Sequence, residues 1–239
     1  MSETPAPRRN GIGVAILGGI VGATAMAALL LLAAPQLVGS RIVRAGILAD
    51  PQVLVDGSDA LRDRQYQPVL AAHRAAIETP FGTSWKGASK PDVTLVEFYD
   101  YACSYCKASN PHIDQLLKED PGLRVVYREL PILGEPSVAA ARLSLAASRA
   151  GRFARFHDAL WAAGKPSGQT IAAAAAAAGI PPNLQPSAEA EAEIQKNFQL
   201  AETLGATGTP LFVVGNRVMN SAVGYEALKQ AIAEALAKG

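Results

Sequence analysis

The segment between Val93 and Glu119 constrains the fold more than any other part of the chain. The apolar run Val93–Tyr99 predicts a short buried β-strand. A helix is predicted from about Cys103 to Glu119, and a second strand over Leu123–Leu130, where apolar and polar residues alternate. A strand, a helix and another strand in this order form a βαβ unit, so the two strands should lie parallel and adjacent.

Two cysteines, Cys103 and Cys106, lie where the first strand gives way to the helix, and the 239 residues contain no others. A pair separated by two residues cannot staple a small fold, so its role should be chemical. Unpaired N–H groups and the dipole at a helix start stabilise an anion, which predicts a lowered pKa and an exposed position for Cys103. Cys106, one turn further in, should be shielded. We therefore expect Cys103 to attack and Cys106 to resolve, through a disulfide that can be passed to a substrate.

The charge balance excludes one large class of partners. Lysine and arginine total 22 against 21 acidic residues, so no basic excess is available to hold nucleic acid. The hydrophobic share of 49% is that of a globular protein with a sizeable core.

Residues 11–35 carry no charge and are long enough, as a helix, to cross a bilayer of about 30 Å. Arg8 and Arg9 precede them, which favours residues 1–10 in the cytoplasm and the rest of the chain in the periplasm or cell exterior. The alternative is a cleaved signal peptide and a soluble exported protein, although Val38–Ser40 fits a cleavage site only loosely. Both interpretations predict export.

Residues 36–79 are interpreted as a helical stalk or arm, because apolar residues are spaced among polar ones from Arg41 to Ala76. The apolar stripe of this arm either packs on the main domain or mediates self-association.

Residues 80–239 are interpreted as the main domain. Residues 137–204 contain no plausible strand, which predicts an all-helical insertion over about 135–204. A hairpin is predicted from Leu211–Val214 and Val218–Val223, followed by an amphipathic helix over Tyr225–Ala237.

Two strings in this domain resemble one known family. The segment Val96-Glu97-Phe98-Tyr99-Asp100-Tyr101-Ala102-Cys103-Ser104-Tyr105-Cys106-Lys107 is similar to the active-site segment of the DsbA family of bacterial disulfide oxidoreductases. The string Gly208-Thr209-Pro210-Leu211-Phe212-Val213 resembles the cis-proline loop of that family. The resemblance covers roughly Pro80–Gly239 and implies an α/β fold, with a thioredoxin-like central sheet and an all-helical insertion.

The resemblance also implies roles for individual residues. Cys103 and Cys106 would form the redox-active disulfide, and Glu97 would be a buried acid that takes part in proton transfer. The alternative for Glu97 is an edge carboxylate that faces water.

The resemblance further implies that the Thr209–Pro210 bond is cis and lies opposite the cysteines. A cis bond before proline turns backbone polar groups toward a bound peptide. Substrate would then contact Thr209, Pro210, Ser104 and Tyr105.

The activity implied is thiol–disulfide exchange on cysteine-containing exported proteins, without an organic cofactor, because the cysteine pair stores two electrons. An upstream redox partner must reset the pair, and a membrane oxidase of the DsbB kind is one candidate. Two departures leave the direction open: Tyr105 stands where the archetypal oxidant has histidine, and Thr209 replaces a small apolar residue.

Three alternatives stay open from the sequence. The protein could be a disulfide isomerase or reductase, oligomeric through residues 41–76, or a redox-inactive membrane-tethered peptide-binding module or chaperone. A zinc site is the third alternative, but His73, His112 and His157 are scattered and give no complete ligand set.

Overall fold

The computed structural model describes residues 39–181 and 187–237, which fall into two compact units divided between Ala60 and Leu61. In the first unit residues 39–49 are helical (α1), and a second helix, α2 (Gln52–Glu78), begins there. Within the described ranges, no helix combines the length and the apolar character that crossing a bilayer requires. The predicted anchor, residues 11–35, lies outside the described residues.

The second unit is built on one five-stranded sheet with the strand order β1-β3-β2-β4-β5. Strands β2 and β3 are parallel, and every other neighbouring pair is antiparallel. In chain order after α2, its elements are β1 (Trp85–Gly87), β2 (Val93–Tyr99), α3 (Ser104–Glu119), β3 (Leu123–Glu129), α4 (Glu135–Arg149), α5 (Phe153–Ala163), α6 (Gly168–Ala178), α7 (Ala188–Thr203), β4 (Leu211–Val214), β5 (Arg217–Met219) and α8 (Tyr225–Leu236).

The βαβ unit is confirmed, with Val93 opposite Leu123 at the start of the parallel ladder. Both central strands are covered on both faces, which accounts for their nearly continuous apolar sequences. Side chains alternate between the faces, so Leu95 packs in one hydrophobic cluster and Val96 in the other. The architecture is the expected thioredoxin-like α/β fold.

The insertion between β3 and β4 is helical throughout its described part, as predicted, and consists of α4, α5, α6 and α7. Its alanine-rich helix α6 has clear end signals in the sequence. Ser167 and Thr170 form a capping box at the start, and Gly179 ends the helix in the left-handed conformation, with φ 69°.

Two details of the sheet differ from the sequence predictions. Strand β1 was not predicted, because three residues are too few to show an alternating pattern. It also needs Gly87 at φ 94°, where a Cβ would lie 2.3 Å from the Leu123 carbonyl oxygen. The second strand of the hairpin is Arg217–Met219 rather than Val218–Val223, because only Phe212–Val214 of β4 lie opposite it.

Arg128 ties the end of α2 to the sheet and to the insertion. Its guanidinium is buried; Nε donates to the Ile77 carbonyl at 2.8 Å, and Nη2 donates to the Thr79 carbonyl at 2.6 Å. Nη1 donates to Glu193 Oε1 at 2.7 Å and to Asn197 Oδ1 at 2.9 Å. The guanidinium thus satisfies carbonyls that a helix end leaves unpaired. Burial lowers the pKa of Arg128, and Glu193 opposes that shift.

We expect Arg128→Ala to lower the free energy of unfolding by about 3–5 kcal/mol, because it removes the buried cation that pairs with Glu193 at 2.7 Å. Urea unfolding followed by circular dichroism measures this change. Arg142→Ala is the matched control: Arg142 pairs with Glu191 at 2.6 Å, but both side chains are more than a third exposed. Its loss should cost less than about 1 kcal/mol. Equal losses of unfolding free energy in the two variants would contradict this role of Arg128.

Candidate active site

Cys103 is the N-cap residue of α3, so the cysteine pair lies at the junction that the sequence predicted. Its N–H donates to the Asp100 carbonyl at 3.0 Å, and its own carbonyl accepts from the Lys107 N–H at 3.1 Å. Among the described residues, no side chain caps this helix start. Cys103 therefore stands at the N-cap of α3, directly before the first helical N–H groups, which have no partner within the helix.

The two thiols differ in access, but less than the sequence suggested. Cys103 is 7% exposed and Cys106 is fully enclosed, at 0%. The prediction of an exposed Cys103 was wrong in degree, because the Thr209 carbonyl oxygen lies 3.3 Å from its Sγ and covers it. Burial, followed by the charge of Glu97, raises the pKa of the Cys106 thiol well above its ordinary value.

The loop before β4 completes this side of the site. The Thr209–Pro210 peptide bond is cis, as expected, and the Cys103 thiol donates to the Thr209 carbonyl. Pro210 is buried, whereas Thr209 is only half-buried. Two segments more than a hundred residues apart in sequence thus meet at one sulfur atom.

Glu97 projects from β2 into the interior and is 1% exposed, so the alternative of a water-facing edge carboxylate was wrong. Its Oε1 has no hydrogen-bond partner among the described residues. Burial raises the pKa of Glu97 to about 8; Lys86 opposes the shift, and Cys103 adds to it. The carboxyl group is therefore largely protonated at neutral pH.

Ser104 and Tyr105, predicted to contact substrate, lie in the first turn of α3 and face solvent. Tyr105 is 67% exposed. The structure therefore leaves both residues accessible next to the less buried thiol.

The sequence analysis missed Asp100, a buried carboxylate that holds the loop between β2 and α3. Its Oδ1 accepts from the Ala102 N–H at 2.7 Å. Its Oδ2 accepts from the N–H groups of Ile132 and Leu133 at 2.8 and 2.9 Å, in the segment after β3. The available signal was an aspartate directly after a strand, a position that favours a bond to the backbone two residues on.

A buried polar and aromatic cluster beside the cysteines was also missed. Tyr99 donates to the Glu129 carboxylate, and burial raises the pKa of Glu129 to about 8. The sequence analysis considered His157 only as one of three scattered histidines, but it lies at the centre of this cluster and is 1% exposed. Single-sequence patterns could not reveal the cluster, because its members come from separate elements.

No group of three or more His, Cys, Asp or Glu side chains in residues 39–181 and 187–237 is arranged to hold a metal ion. The three histidines of the zinc alternative lie on α2, α3 and α5. The cysteine pair is present as two free thiols.

The family model of the DSBA-like thioredoxin domain matches residues 94–233, which is more than half of the chain. The chain therefore belongs to this family. The matched residues contain both the cysteine pair and the cis-proline loop. They form a DsbA-like thiol–disulfide oxidoreductase domain.

Solved structures of related proteins agree with this assignment. A thioredoxin-like oxidoreductase from Silicibacter pomeroyi is 34% identical, with a TM-score of 0.64; the match covers 70% of this chain and 98% of that one. A periplasmic thioredoxin-like protein from Salmonella enterica serovar Typhimurium is 31% identical, also with a TM-score of 0.64, over 69% of this chain and 95% of that one.

Two curated relatives are much longer proteins. The match to the Na(+)/H(+) antiporter NhaA 1 of Salinispora arenicola is 29% identical over 161 residues, or 64% of this chain and 24% of that protein. The match to NhaA 3 of Salinispora tropica is 35% identical over 79 residues, or 32% of this chain and 12% of that protein. The chain thus spans a quarter or less of these relatives.

Stability should fall as pH rises through the neutral range, because folding raises the pKa values of Glu97 and Glu129 from 4.5 to about 8. Between these values the folded state keeps two protons that the unfolded chain has lost. The free energy of unfolding should then fall by up to about 1.4 kcal/mol per pH unit for each group, and level off above pH 8.

Glu97→Gln should remove about half of this slope in urea unfolding measured from pH 6.5 to 8.5. Below pH 6.5 the lowered pKa of the buried His157 adds a slope of opposite sign. The exposed Glu226→Gln is the control and should leave the slope unchanged. An unaltered slope in the Glu97 variant would show that this carboxyl group ionises normally.

Proposed function

We propose that this protein exchanges thiols and disulfides in exported cysteine-containing proteins, with Cys103 as the sulfur that meets the substrate and Cys106 as the resolving thiol. The observation that carries the proposal is the contact of the Cys103 Sγ with the Thr209 carbonyl, 3.3 Å apart, at the start of α3. A substrate sulfur that approaches Cys103 must also approach this loop, where backbone polar groups are available to bind a peptide.

In the oxidising direction, a substrate thiolate attacks Cys103 of the Cys103–Cys106 disulfide. The bond between the two enzyme sulfurs breaks, and Cys106 leaves and takes up a proton, for which the protonated Glu97 is the donor. This uptake is favoured because the pKa of Cys106 is raised by its burial. A second substrate thiolate then attacks the substrate sulfur of the mixed disulfide. Cys103 leaves as a thiolate, and two electrons have passed from substrate to enzyme.

The reverse sequence reduces or rearranges a substrate disulfide. The Cys103 thiolate attacks it and releases one substrate thiolate. Cys106 then gives up its proton to the Glu97 carboxylate and attacks Cys103, which resolves the mixed disulfide and releases the second substrate thiolate. Tyr105 and Thr209, at the positions where the chain departs from the archetypal oxidant, make an isomerase or reductase the first alternative. The equilibrium constant with glutathione distinguishes the directions, because a strong oxidant has an unusually stable dithiol form.

No organic cofactor is needed in either direction, because the pair itself carries the electrons. A redox partner must restore the pair after each turnover. A membrane oxidase of the DsbB kind would serve an oxidase, whereas an electron donor would serve an isomerase or reductase.

The assignment of the two thiols predicts their reactivity. In the reduced protein, iodoacetamide at pH 7 should label Cys103 at least tenfold faster than Cys106, because the thiolate is the reactive form and Cys106 is enclosed with a raised pKa. Both cysteines lie in one tryptic peptide that ends at Lys107, so fragment-ion mass spectrometry of that peptide measures the two rates.

Cys106→Ser should accumulate a mixed disulfide when it is mixed with a substrate that contains a disulfide, because the Cys103 thiolate attacks that bond, releases one substrate thiolate and cannot be resolved. Cys103→Ser should accumulate none. Faster labelling of Cys106, or trapping by the Cys103 variant, would reverse the roles. If neither variant traps substrate and the wild type does not equilibrate with glutathione, a redox-inactive peptide-binding module or chaperone becomes the better interpretation.

We also propose that residues 11–35 anchor the protein in the cytoplasmic membrane, with the redox domain on the oxidising side. The length and apolar character of that segment support the proposal, and one relative is described as periplasmic. A cleaved signal peptide and a soluble exported domain are the alternative.

Carbonate washing should leave the full-length protein in the membrane fraction, and protease added outside the cytoplasmic membrane should digest the domain. A soluble form that begins near Ser40 would overturn the anchor but not export. Protection of the domain from external protease in intact spheroplasts would overturn both.

Self-association through the arm is the remaining partner proposal. Several large apolar side chains between residues 42 and 61 are more than half exposed: Ile42, Val43, Leu48, Val53, Leu54 and Leu61. Two consecutive helices, α1 and α2, with this much exposed apolar surface suit an interface between copies of the chain. The native mass of the purified protein separates this proposal from a monomer.

A further inference from the structure

Tyr101 connects the catalytic loop to the helical insertion. It lies two residues before Cys103 and is buried. Its hydroxyl is 3.1 Å from Ser144 Oγ on α4 and 3.1 Å from His157 Nδ1 on α5. Its ring packs edge-on against Tyr99, with the ring centroids 5.0 Å apart. The hydroxyl and the ring of Tyr101 are therefore both held by elements outside the loop.

The partners of His157 determine where its proton lies. The Trp161 indole Nε1–H donates to His157 Nε2 at 3.1 Å. An indole nitrogen can only donate, so Nε2 must accept and the proton of a neutral ring must lie on Nδ1. His157 Nδ1–H then donates to the Tyr101 hydroxyl oxygen, and the Tyr101 O–H is free to donate to Ser144. The hydrogen bonds thus run in one direction, from Trp161 toward the insertion's first helix.

The surroundings keep His157 neutral. A second proton on Nε2 would face the indole N–H, and aromatic rings enclose the imidazole, with the Tyr127 and Phe153 centroids 4.5 and 5.0 Å away. Burial is the main cause that lowers the pKa of His157 well below 6.5, and the nearby Lys86 lowers it further. The ring is therefore a fixed donor to Tyr101 and not a pH switch.

The loop that carries Cys103 is short, so contacts that fix Tyr101 also restrict the position of the Cys103 thiol two residues later. Asp100 fixes one side of the loop, since its carbonyl accepts the Cys103 N–H and its carboxylate accepts the Ala102 N–H. Tyr101 fixes the other side through its side chain. Release of either hold would let the turn rotate and move Cys103 relative to the start of α3.

We propose that His157 and Ser144 are positioning residues for Cys103: they hold the Tyr101 hydroxyl, so that the helical insertion sets the redox equilibrium of the cysteine pair. The proposal rests on the proposed thiol–disulfide exchange. It adds that residues on α4 and α5, which do not touch substrate, tune the stability of the Cys103 thiolate relative to the disulfide.

The test compares Tyr101→Phe with Tyr127→Phe in the full-length protein. Tyr101→Phe keeps the ring and removes both hydrogen bonds. Tyr127→Phe removes a hydroxyl from a ring that packs on the same histidine but lies on β3, outside the catalytic loop. The equilibrium with glutathione should shift about three- to tenfold toward the disulfide in the first variant, as expected for the loss of one or two hydrogen bonds that favour the dithiol form. It should shift less than twofold in the control.

The pH profile of Cys103 alkylation is the second measurement, and it needs only reduced protein. Its midpoint should rise in Tyr101→Phe and in Ser144→Ala, which shortens one partner and leaves the tyrosine in place. Their effects should not add in the double variant, because both act through the same hydroxyl. Additive effects, or unchanged profiles in both single variants, would overturn the proposal. If Tyr101→Phe does not fold, Ser144→Ala alone decides.

Nitrogen-15 spectra of the wild type test the hydrogen-bond direction without any variant. They should show His157 neutral and protonated on Nδ1 from pH 5.5 to 8, and an Nε2–H form would overturn the proposal. A wild type that does not equilibrate with glutathione would count against the proposed function. The alkylation profiles and the nitrogen spectra would still test the positioning role.

Discussion

The antiparallel pairing of β2 with β4 is the constraint on which the rest of the site depends. It places Phe98 opposite Leu211, so the loop before β4 must emerge at the end of β2 where the cysteine helix begins. The contact between the Cys103 sulfur and the Thr209 carbonyl follows from this register. A shift by one residue would reverse the faces of β4 and remove the loop from the thiol.

Buried polar groups divide into two kinds in this domain. Arg128 and Asp100 are buried but have backbone or side-chain partners, and each ties together segments that are distant in sequence. Glu97 is different, since one of its oxygens has no partner in the described part of the chain. An unsatisfied buried carboxyl group costs stability, and Glu97 is the proton donor that we propose for the cysteine pair. The unpaired oxygen is consistent with the proposed proton transfer and makes no hydrogen bond that would hold the described part of the fold together.

The secondary structure of the redox domain was largely accessible from sequence, because β2, α3 and β3 are long enough to show their periodicity and end at clear signals. The cysteine pair and the cis-proline string were equally visible, since each is a local motif. Strand β1 was not predicted from the sequence, because it is defined only by its pairing with β3. The end of α2 packs Leu70 and Ile77 into the core, which is one of the two alternatives that the sequence left open for the arm.

The sequence by itself determined the α/β order, the helical insertion and the position of Cys103 at a helix start, because these depend on residues that are neighbours in the chain. Only the tertiary structure decided that Cys103 is largely covered and that His157 reaches the catalytic loop through Tyr101. It also decided that Glu97 is buried with one oxygen unpaired among the residues that the structure describes. The physical reason is that burial and hydrogen-bond partners belong to contacts between distant elements. Desolvation by those contacts, rather than residue type, raises the pKa of Glu97 and lowers that of His157.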